Sequence, residues 1–317
     1  MTNVSAFGAS WSGSVEQPRI LASDFDEVEI APWTFQLQAD HLDAAELDRW
    51  IGPRARPNWL QRLLSRGVGG DSAAELSTAV PSAAVLRRIR ASGDLRVNEL
   101  TVEKIKMKQF RAQAKLDTLN LTLQNVQAQW SGGEVRGAVE AAFSAIPPRY
   151  EVAAAFDQVA ISQMPWLIRL SEHLAGTASG TLQLKAGGIG REALLSSLKG
   201  KGEIRLANVE LRGWDVAGTM AAGEWMPGNS RWTAGAGSFH LSDGGFDLNT
   251  LRLTAPYGEF LLKGSVSFSE VTDLTAESHA SGRSARTENT VRFMQISGPL
   301  AEPKISLEKT AVQQPGD

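Results

Sequence analysis

Residues 119–143, LNLTLQNVQAQWSGGEVRGAVEAAF, predict a β-hairpin, and the rest of the chain repeats their pattern. Apolar side chains alternate up to Leu123, the phase slips by one position, and the alternation resumes up to Trp130. Such alternation is typical of a strand with one buried face. The turn falls at Ser131-Gly132-Gly133, where glycine supplies the positive φ of a tight hairpin. The answering strand carries Val135, Val139, Ala141 and Phe143.

Similar hairpins are predicted on both sides of this one. Residues 9–13 match residues 128–132 at one constant spacing, and residues 251–268 match residues 126–143 at another. Each copy has an aromatic residue before a glycine, which predicts turns at Ser12-Gly13 and at Tyr257-Gly258. The sequence therefore predicts a unit that is used three times. Because the first copy lacks the strand before its turn, we expect that Met1 does not begin the natural protein and that the chain is the C-terminal part of a longer one.

Helical patterns are few and short. Apolar spacing and capping residues predict helices over residues 43–52, 57–67, 81–91, 166–174 and 190–198, with a helix and loop over 214–236. Residues 269–286 are polar and are predicted to be mobile, and residues 309–317 to be disordered. So few helices cannot cover a long flat sheet. Curling the sheet into a trough or barrel would cover its apolar face, and a closed sandwich with a filled core is the alternative.

The composition excludes several classes of protein and site. The chain has 317 residues, a formal net charge of -3 and no cysteine, so it has neither an overall basic character for nucleic acid nor thiolate chemistry. No stretch approaches the 18 apolar residues of a membrane-spanning helix, and the first thirty residues do not resemble a signal peptide.

No motif predicts catalysis. The four histidines lie far apart in the sequence, and only His41 has carboxylates beside it, at Asp40 and Asp43, with no third ligand at a suitable spacing. Nucleophile elbows, phosphate-binding loops and dinucleotide fingerprints are absent from the sequence. We therefore expect a protein that is not an enzyme, without metal or cofactor.

One basic and aromatic cluster stands out in the N-terminal third. It could contact anionic lipid headgroups, or its arginines could simply lie on the wet face of a short helix. Its residues are Arg54, Arg56, Trp59 and Arg62.

A family resemblance appears at residues 164–214. They contain WLIRLSEHL, then GTASGTLQLKAGG, then REALLSSL, then KGKGEIRLANVELRGWD, in that order. The final strands, with Gly298-Pro299-Leu300 before Pro303-Lys304-Ile305, add a G-x-l-x-x-P-x-i-x-l pattern. These elements resemble the AsmA family, whose likeness covers most of residues 95–308. The resemblance rests on the order of degenerate elements, and no functional residue set carries over with it.

The resemblance implies a mainly β fold: an elongated, curved antiparallel sheet that forms a taco-like groove with a few short capping helices. It also implies a periplasmic protein of the Gram-negative envelope, anchored in the inner membrane by an N-terminal helix that this chain lacks. Such a groove would bind or conduct phospholipid toward the outer membrane in outer-membrane biogenesis. The alternative is a scaffold with a filled core that regulates the targeting or assembly of outer-membrane proteins together with assembly factors.

The resemblance implies that the chain divides into three parts. Residues 1–93 would be the end of an upstream repeat plus a helical cap, residues 94–308 the AsmA-like β-rich region, and residues 309–317 a tail. Acyl chains of a phospholipid or similar ligand would meet the apolar strand faces. The candidate groove residues are Leu121, Leu123, Val126, Leu251, Leu253 and Phe260.

Overall fold

The described part of the chain is built almost entirely of β-strands. The computed structural model describes residues 4–6, 8–16, 32–43, 90–102, 105–164, 173–188, 191–222, 224–242, 244–256, 258–268, 271–280, 292–299 and 304–308. The first eight strands are β1 Val4–Ala6, β2 Ala9–Glu16, β3 Trp33–Asp43, β4 Arg90–Val102, β5 Ile105–Asp117, β6 Asn120–Trp130, β7 Gly133–Ala142 and β8 Arg149–Ala160. The others are β9 Leu174–Gly187, β10 Lys199–Arg212, β11 Asn229–Ser242, β12 Gly245–Ala255, β13 Gly258–Ser267, β14 Val271–Ala280, β15 Arg292–Pro299 and β16 Lys304–Glu308.

Two short helices interrupt this series. Helix α1, Arg191–Ser197, joins β9 to β10, and helix α2, Val216–Ala222, joins β10 to β11. A single 3-10 turn, Ile161–Gln163, follows β8. In the ranges that the structure describes, no helix is long and apolar enough to cross a membrane. The expected fold class, mainly β with few helices, is confirmed.

The chain divides into two compact units. The first contains residues 1–128 and 138–149, and the second contains residues 129–137 and 150–317. In the first unit, β1–β2, β2–β3 and β4–β5 are antiparallel pairs, whereas β3 and β4 run parallel. In the second unit, β9 to β16 pair in sequence order and every pair is antiparallel. These pairs are antiparallel, as expected, except for β3–β4, so the sheet is mixed.

The hairpin predicted at residues 119–143 is present as β6 and β7. Ser131 and Gly132 form its turn with φ of 51° and 82°, so both central residues are left-handed, as a type I′ turn requires. The slip in alternation after Leu123 also has a structural cause. Asn125 has φ of 51° inside β6, which leaves it exposed beside exposed Gln124 and returns Val126 to the buried face.

Three further strands also contain one residue with a positive φ that shifts the alternation. Gln109 in β5, Gln158 in β8 and Asn208 in β10 have φ of 52°, 53° and 51°, and each stands directly before a buried apolar residue. At Asn208 the register between β10 and β9 shifts by one position. Asparagine tolerates the left-handed region better than most residues, which explains the choice at Asn125 and Asn208 but not the glutamines at the other two positions.

The predicted turn at Ser12-Gly13 is wrong. These residues lie inside β2 and pair with Gln38 and Leu37 of β3. A Cβ at Gly13 would meet the carbonyl oxygen of Gln36, so glycine is needed there for close strand approach and not for a turn. The third predicted hairpin is confirmed as β12 and β13.

The remaining predictions of helices and of a mobile stretch are confirmed in some places and wrong in others. The helix expected over residues 190–198 is α1, and the helix and loop expected over 214–236 become α2 followed by β11 from Asn229 onward. The stretch predicted to be mobile contains β14, which pairs along its length with β13, and Leu174 begins β9 instead of ending a helix. The predicted helices at 57–67 and most of those at 43–52, 81–91 and 166–174 lie outside the described residues, as does the C-terminal tail.

Candidate binding face

The second unit presents one apolar and one polar face, because side chains alternate along every strand. Register decides which apolar residues meet, and three rows run across the strands without a charged side chain, all of them apolar or glycine apart from one threonine. The central row consists of Gly180, Ile204, Gly237, Leu251, Leu262, Ala276, Met294 and Leu307.

The other two rows lie on one side of the central row, toward the turn that joins β11 to β12. The second row consists of Leu182, Gly202, Phe239, Leu248, Gly264, Leu274, Ile296 and Ile305. The third consists of Leu184, Gly200, Leu241, Phe246, Val266, Thr272 and Gly298. We call these the apolar rows. A row that crosses eight strands covers roughly 34 Å at about 4.8 Å per strand.

Glycines make the rows uneven. Added Cβ atoms at Gly202 and Gly237 would meet the side chains of Phe239 and Leu251 within their rows, at 2.5 and 3.1 Å. The large side chains therefore lean over the neighbouring glycines. The resulting surface is a layer of hydrocarbon over backbone, which suits contact with a flexible apolar ligand.

Exposure changes along the strands. Near the ends of β11 and β12 closest to α2, Trp232, Leu253 and Phe260 are buried and belong to one hydrophobic cluster. Along the rows, Leu248, Leu251 and Leu262 are only partly buried, whereas Phe239, Ala276, Met294 and Ile296 are buried. The face is therefore filled near α2 and only partly exposed along the rows.

Helix α2 packs its apolar side against the buried end. Val216 and Met220 are 6% and 3% exposed and lie in the same cluster as Trp232 and Met294. The helix begins after Asp215, whose carboxylate accepts a hydrogen bond from the backbone N–H of Gly218 at 2.9 Å.

Two buried hydroxyls fix the segment around α2. Thr219 Oγ1 accepts hydrogen bonds from the indole nitrogen of Trp214 at 2.9 Å and from the backbone nitrogen of Met226 at 3.0 Å. Ser230 Oγ donates to the carbonyl of Trp214 and accepts from the nitrogen of Val216. These hydrogen bonds satisfy polar groups that would otherwise make the segment around α2 costly to bury.

Trp232 is an exception to this pattern. Its indole nitrogen Nε1 is buried and has no hydrogen-bond partner among the residues that the structure describes. Its ring packs edge-on against Phe260, with centroids 6.0 Å apart and an angle of 85° between the planes. An edge-on aromatic pair is a favourable arrangement, and it offsets part of the cost of the unpaired donor.

The opposite face of the second unit is charged, and several of its charges are paired across strands. Arg231 donates two hydrogen bonds to Glu210 at 2.9 and 3.1 Å, and this contact holds the pKa of the Glu210 carboxyl below its usual value. The other cross-strand pairs are Lys185–Glu151, Arg252–Glu259 and Lys263–Glu277, with N···O distances of 2.9, 3.6 and 3.8 Å.

The first unit also has an apolar face. Trp11, Ala39, Val97 and Phe110 stand side by side across β2 to β5 and lie in or against its hydrophobic cluster. The cluster is smaller than that of the second unit and contains several alanines.

The predicted groove residues fall into two groups. Val126 and Leu123 lie in or against the cluster of the first unit, and Leu121 is partly buried nearby in β6. Leu253 and Phe260 belong to the cluster of the second unit, with Leu251 packed against it. The predicted headgroup contacts Arg54, Arg56, Trp59 and Arg62 lie outside the described residues.

Sequence reasoning missed the residues at the filled end, Trp232, Met220 and Met294. Trp232 lies in a stretch rich in glycine and alanine, where β11 shows little apolar alternation in the sequence. The described residues contain no group of three or more His, Cys, Asp or Glu side chains that could hold a metal ion. Comparisons with protein-family models, curated proteins and solved structures found no match.

Proposed function

We propose that this chain is a non-enzymatic lipid-binding β-structure whose apolar rows hold the acyl chains of phospholipids. The observation that supports the proposal is the continuity of the rows, which cross up to eight strands without a charged side chain. A row of roughly 34 Å exceeds the ~15 Å of hydrocarbon in one leaflet of a bilayer, so it offers more than enough length for one acyl chain.

The biological setting of the proposal comes from the AsmA resemblance. The chain would belong to a periplasmic protein anchored in the inner membrane, and it would bind or conduct phospholipid toward the outer membrane. The rows would supply a path in which neighbouring positions are chemically similar, since nearly all of them offer an apolar side chain or glycine. Similar positions allow a lipid to shift along a surface without a large barrier.

Mass spectrometry of lipids that stay bound to the purified protein tests the proposal. We expect phospholipid with the wild type and much less with the double variant Leu251→Glu, Leu262→Glu, because two carboxylates would then face the hydrocarbon. The matched control is Arg252→Glu, which adds a carboxylate on the opposite face of β12.

A photocrosslinking residue separates lipid contact from misfolding of the charged variant. Placed at Leu248 in the second row, it should crosslink to lipid, whereas at Arg252 it should not. Absence of bound lipid from the wild type, together with no crosslink at Leu248, would refute the proposal and favour a scaffold with a covered apolar face.

A further inference from the structure

The outer face of β4 and β5 is locally basic in a chain whose formal net charge is -3. Six basic and three acidic side chains point to this face from the two strands, an excess of three positive charges. All six basic residues are exposed, and the four that form no ion pair with the described residues, Arg96, Lys108, Arg111 and Lys115, are called the basic strip.

Two arginines of the strip stand directly opposite each other. Arg96 of β4 and Arg111 of β5 are register partners in the antiparallel pair, so their side chains leave the same face of the sheet. Like charges in this position repel each other and destabilise the pair of strands. An anion between or above the two guanidinium groups would remove that repulsion and accept hydrogen bonds from both.

The nearby acids neutralise the strip only in part. Glu99 is the register partner of Lys108 and lies 4.0 Å from both His41 and Lys106, and Asp117 lies 3.3 Å from Arg90. Asp94 is exposed and is opposite Gln113. Among the residues that the structure describes, no member of the basic strip forms an ion pair.

The second unit has a higher share of paired cations on its outer face. Lys185, Arg231, Arg252 and Lys263 lie next to carboxylates, each pair within 4.0 Å. Lys199, Lys201 and Arg205 of β10 form no ion pair with the described residues, whereas in the basic strip all four cations lack one. Charge balance suits a face that meets only water, whereas unpaired cations suit a face that meets an anionic partner.

We propose that the basic strip docks on an anionic bilayer surface. The strip spans eight residues along β5 at about 3.3 Å per residue, so its cations are spread along a strand as an array of headgroups would be. The outer positions of β4 and β5 contain no aromatic side chain, which disfavours binding of single-stranded nucleic acid through base stacking. The contact would be electrostatic and would leave the apolar rows of the other unit unaffected.

Vesicle flotation tests the proposal with phosphatidylcholine vesicles that contain or lack phosphatidylglycerol. Wild type should float with the anionic vesicles, should not float with pure phosphatidylcholine, and should be released by 1 M salt, where the Debye length is about 3 Å. The variant Arg96→Gln, Lys108→Gln, Arg111→Gln, Lys115→Gln should bind anionic vesicles about 600-fold more weakly, since each of the four basic residues near such a surface contributes about fivefold.

The matched control removes the same number of charges from paired positions: Lys185→Gln, Arg231→Gln, Arg252→Gln and Lys263→Gln. It should retain anionic vesicle binding within about threefold, because those cations are already neutralised by carboxylates. Circular dichroism checks that both variants fold.

Equal losses in the two variants, or no preference for anionic vesicles, would overturn the proposal. Competition by polyglutamate without any vesicle binding would also overturn it, since the partner would then be an acidic polypeptide. Acyl-chain binding measured by mass spectrometry should be unchanged in the basic-strip variant, so failure of this proposal is distinguishable from failure of the lipid-binding proposal.

Discussion

At the scale of single residues, two tryptophans near α2 differ in one hydrogen bond. The indole nitrogen of Trp214 donates to Thr219, and the ring stacks on Trp225 with centroids 4.9 Å apart. The indole nitrogen of Trp232 has no partner among the described residues although the side chain is only 5% exposed. Phenylalanine keeps an aromatic ring and lacks the donor, so the same substitution tests both environments.

We expect Trp232→Phe to change the free energy of unfolding by less than about 1.5 kcal/mol, because the smaller ring loses contacts while the buried unpaired donor disappears. Trp232→Ala should cost about 3–5 kcal/mol through the cavity that it leaves. Trp214→Phe should cost more than Trp232→Phe, since it removes a real hydrogen bond. Urea unfolding measures all three values. A larger loss for Trp232→Phe than for Trp214→Phe would contradict this interpretation.

At the scale of elements, the hairpin of β6 and β7 contains two glycines that are required for different physical reasons. Gly132 has φ of 82° and open space where a Cβ would lie, so only the backbone conformation requires glycine. A Cβ at Gly137 would meet the carbonyl oxygen of Ala153 in β8, so the approach of a neighbouring strand requires glycine there. The sequence shows both glycines and does not distinguish these two reasons.

Replacing each glycine by alanine should therefore give different losses. Gly132→Ala should cost about 1–2 kcal/mol, the conformational cost of a left-handed alanine. Gly137→Ala should cost more, because the two strands must separate or the chain must bend. Chemical unfolding gives the free energies, and amide exchange at Ala153 and its neighbours should accelerate only in Gly137→Ala. The opposite order of losses would show that the close contact relaxes freely.

At the scale of the whole molecule, each unit has an apolar face, and that of the second unit combines a filled end with partly exposed rows. Small sets of exposed apolar side chains are normal in proteins, whereas a continuous apolar surface that remains partly exposed marks a binding surface. The described residues thus support a folded protein with apolar surface still available.

The folded protein should accordingly bind the dye ANS under native conditions, while urea unfolding remains cooperative. Dye fluorescence should fall when phospholipid is added, because both ligands compete for the apolar rows. The variant Leu251→Glu, Leu262→Glu should show weaker fluorescence, and Arg252→Glu should resemble the wild type. A wild type without dye binding would indicate that the rows are covered.

The sequence by itself determined much of the local structure. Alternation placed the β12–β13 meander, the turn at Ser131-Gly132 and the phase slip at Asn125, because each depends on residues that are neighbours in the chain. It was wrong at Gly13, where glycine serves a contact between strands, and over β14, where polar residues pair within a sheet. Local composition does not report a partner strand, so these errors share one cause.

The tertiary structure decided which residues meet across strands. Only register brings Leu251 beside Leu262 and continues that contact into an apolar row, and only register sets Arg96 against Arg111. The parallel pairing of β3 with β4 is likewise invisible in the alternation. The physical reason is that alternation fixes the face on which a side chain lies, whereas hydrogen bonding and packing between strands fix its neighbours, and a shift of register would change them all.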